Sequence, residues 1–262
     1  MGKKFFVTSD IHSFLDELMV ALAEKGFEKD NKDHILCVCG DLFDRGPKSR
    51  ELFEFVKELQ AQDRLIYVTG NHESLLFDCM MAIYNGRMPG RHHFSNGTIS
   101  TICQFCGQNE WIIYDPTWRD KICETMQSVL DFISDNCVDY AEIGDFVLVH
   151  GWVPCHKDLD DFRDATSDEW ERARWDNGME MWSYPRCRVD GKTVICGHYH
   201  CSWGWSHIRQ EKKEWPNKSR KDWKDSFAPF IDDGIAAIDA CTAYTGFCNV
   251  LVIEEDEINE NS

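Results

Sequence analysis

The sequence predicts an α/β fold: a largely parallel strand core with helices packed outside it. Three observations carry that prediction. Short apolar runs, rich in β-branched or aromatic residues, recur along the chain, and each closes on a polar cluster. Stretches of helical period fall between the first three runs. The 262 residues are 43% hydrophobic, enough for a full core without a disulfide or metal staple.

The first run, Phe5-Phe6-Val7, closes on Thr8-Ser9-Asp10-Ile11-His12. Ser13 is placed to cap a helix with the stripe Leu15, Leu18, Met19 and Leu22. The second run, Ile35 to Cys39, closes on Gly40-Asp41-Leu42-Phe43-Asp44-Arg45-Gly46, and Pro47 can open a helix with Leu52, Phe55, Val56 and Leu59 on one face. The third, Leu65 to Val68, closes on Thr69-Gly70-Asn71-His72-Glu73, with a helix after it carrying Leu75, Leu76 and Cys79. Later runs are Phe146 to Val149 before His150-Gly151-Trp152, and Thr193 to Cys196 before Gly197-His198-Tyr199-His200. Ile235 to Ile238 precedes Asp239, and Asn249 to Ile253 precedes an acidic tail. Residues 84–140 break the rhythm with glycines, prolines and the amphipathic stretch Ile122 to Ile133, and read as a mostly helical insertion, a cap beside the strand ends. Residues 202–230 form a second irregular segment; within 202–225 lie seven bases against four acids, with Trp203, Trp205, Trp215 and Trp223. It reads as a solvated loop anchored by tryptophans or as a rim attracting an anionic substrate. Nothing between residues 1 and 262 resembles a linker, so one domain is expected.

A net charge of −18 argues against a broad nucleic-acid or anionic-membrane surface, and no apolar run approaches the roughly 18 residues of a membrane span. The N-terminus has the charge of a signal peptide but not its length, so a cytoplasmic location is expected. The thirteen cysteines then read as reduced thiols, many in the core, and Cys103-x-x-Cys106 lacks the second pair of a zinc knuckle.

The chemistry sits in the polar clusters. In α/β sheets, ligands bind at the carboxyl ends of strands, where side chains distant in sequence converge. The residues there are Asp, His, Asp, Asn, His and His: oxygen and imidazole donors without thiolate, a set suited to Mn²⁺, Fe²⁺ or Zn²⁺. Each piece alone is weak, since a lone strand-end Asp is more often a turn or cap residue. Five clusters in order, each after a strand, are specific. His34, His92, His93, His156 and His207 fall outside the set and read as surface or core histidines.

Asp10-Ile-His12, Gly40-Asp41-Leu-Phe-Asp44-Arg45-Gly46, Gly70-Asn71-His72-Glu73, His150-Gly151 and Gly197-His198 together resemble the calcineurin-like metallophosphoesterases, most closely the bacterial branch of serine/threonine phosphoprotein phosphatases. The resemblance runs from residue 10 to about 240 and implies a β-sandwich core between helical layers, α-β-β-α. It implies two divalent metal ions, manganese foremost, with iron, zinc or nickel as alternatives. Asp10, His12 and Asp41 would hold the first; Asp41 would bridge to the second, held also by Asn71, His150 and His198. Arg45 and Asn71 would contact the substrate phosphate, His72 would protonate the leaving group, and Asp44 would orient the His72 ring.

The chain departs from the family pattern in three places. Ser13 replaces a customary Gly, and Asp239-Ala-Cys241 replaces Asp-Thr-Gly. Gly-His-Tyr-His makes His200 a further candidate ligand of the first metal. A second phosphate-binding arginine is expected among Arg172, Arg174, Arg186 and Arg188. The resemblance favours a phosphomonoesterase acting on a phosphoprotein or small phosphoester. A dinucleoside polyphosphate hydrolase, with tryptophans of residues 203–223 holding a base, and a phosphodiesterase are alternatives. A non-catalytic binding protein would have lost a ligand position, and none is lost.

Overall fold

The computed structural model describes residues 2–211 and 220–255. Among these, ten strands form two five-stranded sheets. The strands are β1 (Lys4–Thr8), β2 (His34–Cys39), β3 (Leu65–Val68), β4 (Cys137–Val138), β5 (Ala141–Ile143), β6 (Phe146–Leu148), β7 (Thr193–Cys196), β8 (Phe230–Asp232), β9 (Ile235–Ala237) and β10 (Leu251–Glu254). The helices are α1 (Leu15–Glu24), α2 (Ser49–Gln60), α3 (Asn71–Tyr84), α4 (Arg91–Asn96), α5 (Thr98–Cys106), α6 (Trp111–Tyr114), α7 (Arg119–Asn136), α8 (Ser167–Ala173), α9 (Gly178–Ser183), α10 (Arg220–Ser226) and α11 (Thr242–Thr245).

One sheet has the order β10-β1-β2-β3-β4, parallel except for β10; the other has the order β5-β6-β7-β9-β8, parallel in its centre with antiparallel edges. The period-2 alternation of each strand sorts its side chains into two cores. Val7, Cys37, Cys39 and Val68 of the first sheet meet Leu148, Ile195, Ala236 and Ile238 of the second, forming the middle of a sandwich. The opposite faces carry Phe6, Leu36, Val38 and Tyr67 under one helical layer, and Val147, Val194, Cys196 and Ile235 under the other. Both faces of each sheet are covered, which is why the strands read as continuous apolar runs.

The stripes of the first two helices lie as expected: Leu18 and Leu22, then Leu52, Phe55, Val56 and Leu59, are buried. Two helix starts differ. Ser13 does not cap α1; it is buried with φ +63 and its hydroxyl pairs with Ser49 Oγ at 2.8 Å. A left-handed residue belongs to the turn, so its hydroxyl is turned away from the helix N–H groups, and this conformation explains why glycine is customary there. Helix α2 begins at Ser49 rather than Pro47, because Gly46 N–H bonds His12 O at 2.8 Å and Lys48 N–H bonds Ser13 O at 3.1 Å, holding those residues in the turn.

The segment 84–140 is mostly helical. Ile99, Ile102, Ile112, Ile122, Met126 and Val129 are buried in the same core as the first sheet's outer face, so α5, α6 and α7 belong to that layer. The expectation of reduced cysteines fails at one place: Cys155 and Cys187 form a disulfide. The loop after β6 lies on the turn at Pro185–Cys187, where Trp152 Nε1 donates to Cys187 O at 2.9 Å, and this packing brings the two sulfurs together. The other eleven cysteines are free thiols. Among the described residues no helix is long and apolar enough to cross a membrane. Of the basic segment, Lys212, Lys213, Trp215 and Lys218 lie outside the described residues, as does the acidic tail beyond residue 255.

Candidate metal centre

Parallel pairing aligns the carboxyl ends of the central strands, and the polar residues leave those ends at matching offsets. Asp10, Asp41, His150, His198 and Asp239 each stand two residues past the last residue of β1, β2, β6, β7 and β9, and Asn71 stands three past β3. The loops are tied to one another: Asp10 N–H donates to Gly40 O at 3.2 Å, His12 N–H to Asp41 O at 3.0 Å, and Gly197 N–H to His150 O at 2.7 Å.

The backbone is forced at this edge. Asp10, His12, Asp41, Asp44, Arg45, His198 and Cys241 all have φ between +49 and +77°. Left-handed backbone costs an L-residue roughly 1–2 kcal/mol, so such a cluster marks residues held for their side chains rather than for turn propensity. Gly70 shows the crowding: a Cβ there would lie 2.2 Å from Asp41 Oδ1.

Of three groups of potential donor atoms among the described residues, one (Asp78, His92 and His93) lies elsewhere, and Asp41 belongs to the other two. His12, Asp41 and His72 make one, with donor atoms within 4.8 Å of one another; Asp41, His150 and His198 make the other. Asp10 Oδ1 adjoins the first at 4.0 Å from His12 Nε2. Asn71 Oδ1 enters the second, 2.8 Å from His150 Nε2 and 3.0 Å from His198 Nδ1. The remaining ring nitrogens are spent on the frame: His12 Nδ1 on Phe43 O at 2.9 Å, and His150 Nδ1 on Cys39 O at 2.8 Å. Such outer bonds fix ring orientation in metal-ligating histidines and leave the other nitrogen's lone pair pointed inward.

The electrostatics is that of a cation site. Burial pushes the Asp10 carboxyl up to about 6, against the pull of His150 and with the help of Asp41. Burial and then Asp10 push Asp239 well above the carboxylate range. Burial also opposes the ionisation of Asp41, but His150, His72 and His12 around it hold its carboxyl below the usual range. Burial holds His12 low, and brings His198 down to about 4. Three buried carboxyls and neutral imidazoles at one point suit divalent cations, which compensate the carboxylates and take the imidazole lone pairs.

Beside the donor groups lies a second device. Asp44 Oδ2 accepts from His72 Nδ1 at 2.7 Å, and the guanidinium of Arg45 reaches His12 Nε2 at 2.9 Å and His72 Nε2 at 3.0 Å. Burial lowers His72, but Asp41 and Asp44 outweigh it and hold this imidazole above its ordinary value. The arrangement presents a planar cation and, with Nδ1 on Asp44, an imidazole whose Nε2 accepts from that cation.

His200, the further candidate ligand, follows the same strand end as His198. The chain turns tightly at Tyr199, His200 Nδ1 pairs with Ser202 Oγ at 2.8 Å, and its ring stacks on Tyr199. Of the four candidates for a second phosphate-binding arginine, two have partners in the fold. Arg174 pairs with Asp139, Glu171 and Ser74, and Arg188 lies over the Trp182 ring. Sequence reasoning missed Glu73 as a frame residue: its carboxylate accepts from Asp41 N–H at 3.0 Å, Leu42 N–H at 2.9 Å, Gly70 N–H at 2.7 Å and Tyr67 Oη at 2.7 Å. An acid placed straight after His72 carries no signal of an inward, structural role.

A family model described as calcineurin-like phosphoesterase matches residues 3–229. The chain belongs to that family. Its members use a pair of divalent metal ions, and the two donor groups that share Asp41 are candidate ligands for such a pair. Among curated proteins, an asymmetrical bis(5'-nucleosyl)-tetraphosphatase PrpE of Bacillus velezensis is 39% identical over 77 residues, covering 27% of this chain and 31% of the relative. A symmetrical bis(5'-nucleosyl)-tetraphosphatase of Vibrio vulnificus is 40% identical over 82 residues, covering 31% of this chain and 29% of the relative. The matched stretch thus spans less than a third of these relatives' length. Among solved structures, a cold-active protein-tyrosine phosphatase of a psychrophilic Shewanella superposes with a TM-score of 0.51 at 14% identity, covering 97% of this chain and 76% of that one. At that identity the likeness is one of fold.

Proposed function

We propose that this metallophosphoesterase hydrolyses phosphoanhydride bonds of dinucleoside polyphosphates. The observation that carries phosphoryl chemistry is the sharing of Asp41 between the His12 side and the His150–His198 side of the centre. Asp10, His12 and Asp41 would hold one divalent cation, and Asp41, Asn71, His150 and His198 the other. When bound, the pair supplies ionised water near neutral pH and neutralises phosphate charge. Arg45 forks onto phosphate oxygens, a bidentate fit for a planar guanidinium. His72 would pass a proton from Nε2 to the departing oxygen once Arg45, which donates to that nitrogen in the structure, is engaged on phosphate, while Asp44 keeps the ring in the orientation for that transfer. Water adds to phosphorus, the P–O–P bond breaks, and two nucleotide products leave.

The substrate preference rests on two supports. The curated relatives are tetraphosphatases of this kind. The rim also offers apolar faces beside the phosphate position: the Trp175 ring lies 5.9 Å from that of His198 and Tyr199 lies 6.3 Å from it, at 49% and 37% exposure. Those rings can hold a nucleobase. Of the tryptophans of residues 203–223 expected for it, Trp203 packs edge-on against Tyr199 at 6.3 Å, and Trp215 lies outside the described residues. Trp205 donates to Ala228 O, Trp203 stacks on His207 and Trp223 on Tyr244. Phosphoserine and phosphothreonine have support at the level of fold alone.

The deciding experiment is a panel on Mn²⁺-loaded protein: diadenosine tetraphosphate, a phosphothreonine peptide, a cyclic nucleotide and an aryl phosphodiester. The expected result is the highest kcat/KM for the dinucleotide. A faster phosphopeptide reaction would transfer the assignment to protein phosphatases.

A further inference from the structure

We infer that helix α5 is a polar clamp on the catalytic turn, and that Thr98, Thr101 and Gln104 are positioning residues for Asp44, His72 and Arg45. The inference rests on the proposed proton-donor role of His72. Nothing in the motifs points to it, because these residues lie more than fifty positions beyond the turn they hold.

The three side chains recur every third residue, so they share one face of the helix. Thr98 Oγ1 donates to Asp44 Oδ2 at 2.8 Å, and Thr101 Oγ1 donates to Asp44 Oδ1 at 2.7 Å. Thr101 Oγ1 also accepts from the Asp44 backbone N–H at 3.1 Å. Gln104 continues the row: its Nε2 donates to Gly46 O at 3.0 Å, and its Oε1 accepts from Ser49 N–H at 2.9 Å. The helix thus reads the turn from Asp44 to Ser49 atom by atom.

With His72, three donors converge on a carboxylate that is 1% exposed, and both threonines are fully buried. Neither hydroxyl is a solvated helix-surface group, and neither faces water as an alternative partner. The carboxylate plane is fixed at both oxygens, and the His72 ring is fixed through it. The contact is close at the helix start too. Gly97 has φ +92, and a Cβ there would lie 2.4 Å from the Arg45 backbone nitrogen. Asp44 and Arg45 themselves hold φ of +77 and +61, a conformation that needs outside support to persist. These contacts come from α5 alone, within the segment 84–140 expected as a cap beside the strand ends.

The test uses Thr98→Val and Thr101→Val, which keep shape and remove the hydroxyl, with Thr101→Ser as the conservative variant. Each is assayed, metal-loaded, on an aryl phosphate with a good leaving group and an alkyl phosphate with a poor one, with metal content and melting temperature recorded. Thr101→Val is expected to lower kcat for the alkyl ester at least tenfold, to change the aryl ester less than threefold, and to leave KM and two bound metals unchanged. Thr101→Ser is expected to restore the alkyl rate. If Thr101→Val does not fold, Thr98→Val carries the same expectation. Equal losses on both esters, no loss, or no rescue by serine overturns the clamp. His72→Asn is run beside them. If it too shows no leaving-group selectivity, the proton-donor role fails; if it alone shows selectivity, only the clamp fails.

Discussion

Asp10 states the problem that this centre poses for folding. A carboxyl that burial raises to about 6 binds more protons in the folded protein than in the unfolded chain, between its ordinary value of 3.8 and about 6. Stability therefore falls as pH rises through that window. With a chelator present, the melting temperature of the native protein should drop from pH 4 to pH 6 more steeply than that of Asp10→Asn; equal slopes would remove Asp10 from the account. Arg45 and His72 make separable predictions. Arg45→Ala should retain both metals and lose roughly 10- to 100-fold in kcat/KM, the scale of one or two charge-assisted bonds to phosphate; a metal-free variant would assign Arg45 to the ligand frame instead. His72→Asn should lose roughly 10²- to 10⁴-fold on esters with poor leaving groups and much less on good ones.

At the scale of elements, the frame under the donors is Glu73 on α3, which gathers three backbone N–H groups and the Tyr67 hydroxyl. Glu73→Gln turns an all-acceptor group into one that presents N–H to N–H. It should destabilise the protein by about 2 kcal/mol or more in denaturant unfolding, since buried donors left without partners cost about 1–3 kcal/mol each. An unchanged midpoint would contradict the role. What could be read in the sequence follows from these elements. Strands β1, β2, β3, β6, β7, β9 and β10 are apolar on both faces and close on polar residues, so they and the donors after them were legible. Strand β4 has two residues, and β5 and β8 carry Glu142 and Asp232 within their three, so none presents an apolar run of its own. Thr98 and Thr101 look like ordinary helix residues, because a hydroxyl's partner is decided by tertiary packing.

At the scale of the molecule, the sandwich spends its three cores on one edge. The middle core fixes the separation of the two sheets, and one donor group draws on the first sheet while the other joins residues from both. Loading metal should therefore stabilise the whole fold, by about 2.7 kcal/mol at a hundredfold excess over Kd for one site. The disulfide at Cys155–Cys187 joins the loop that follows His150 to the second sheet's outer layer, which composition alone did not suggest. The measurement closest to the central claim is anomalous diffraction from crystals grown with Mn²⁺. The account predicts two peaks roughly 3.5–4 Å apart with the Asp41 carboxylate between them. A single peak, or peaks away from Asp41, would contradict it.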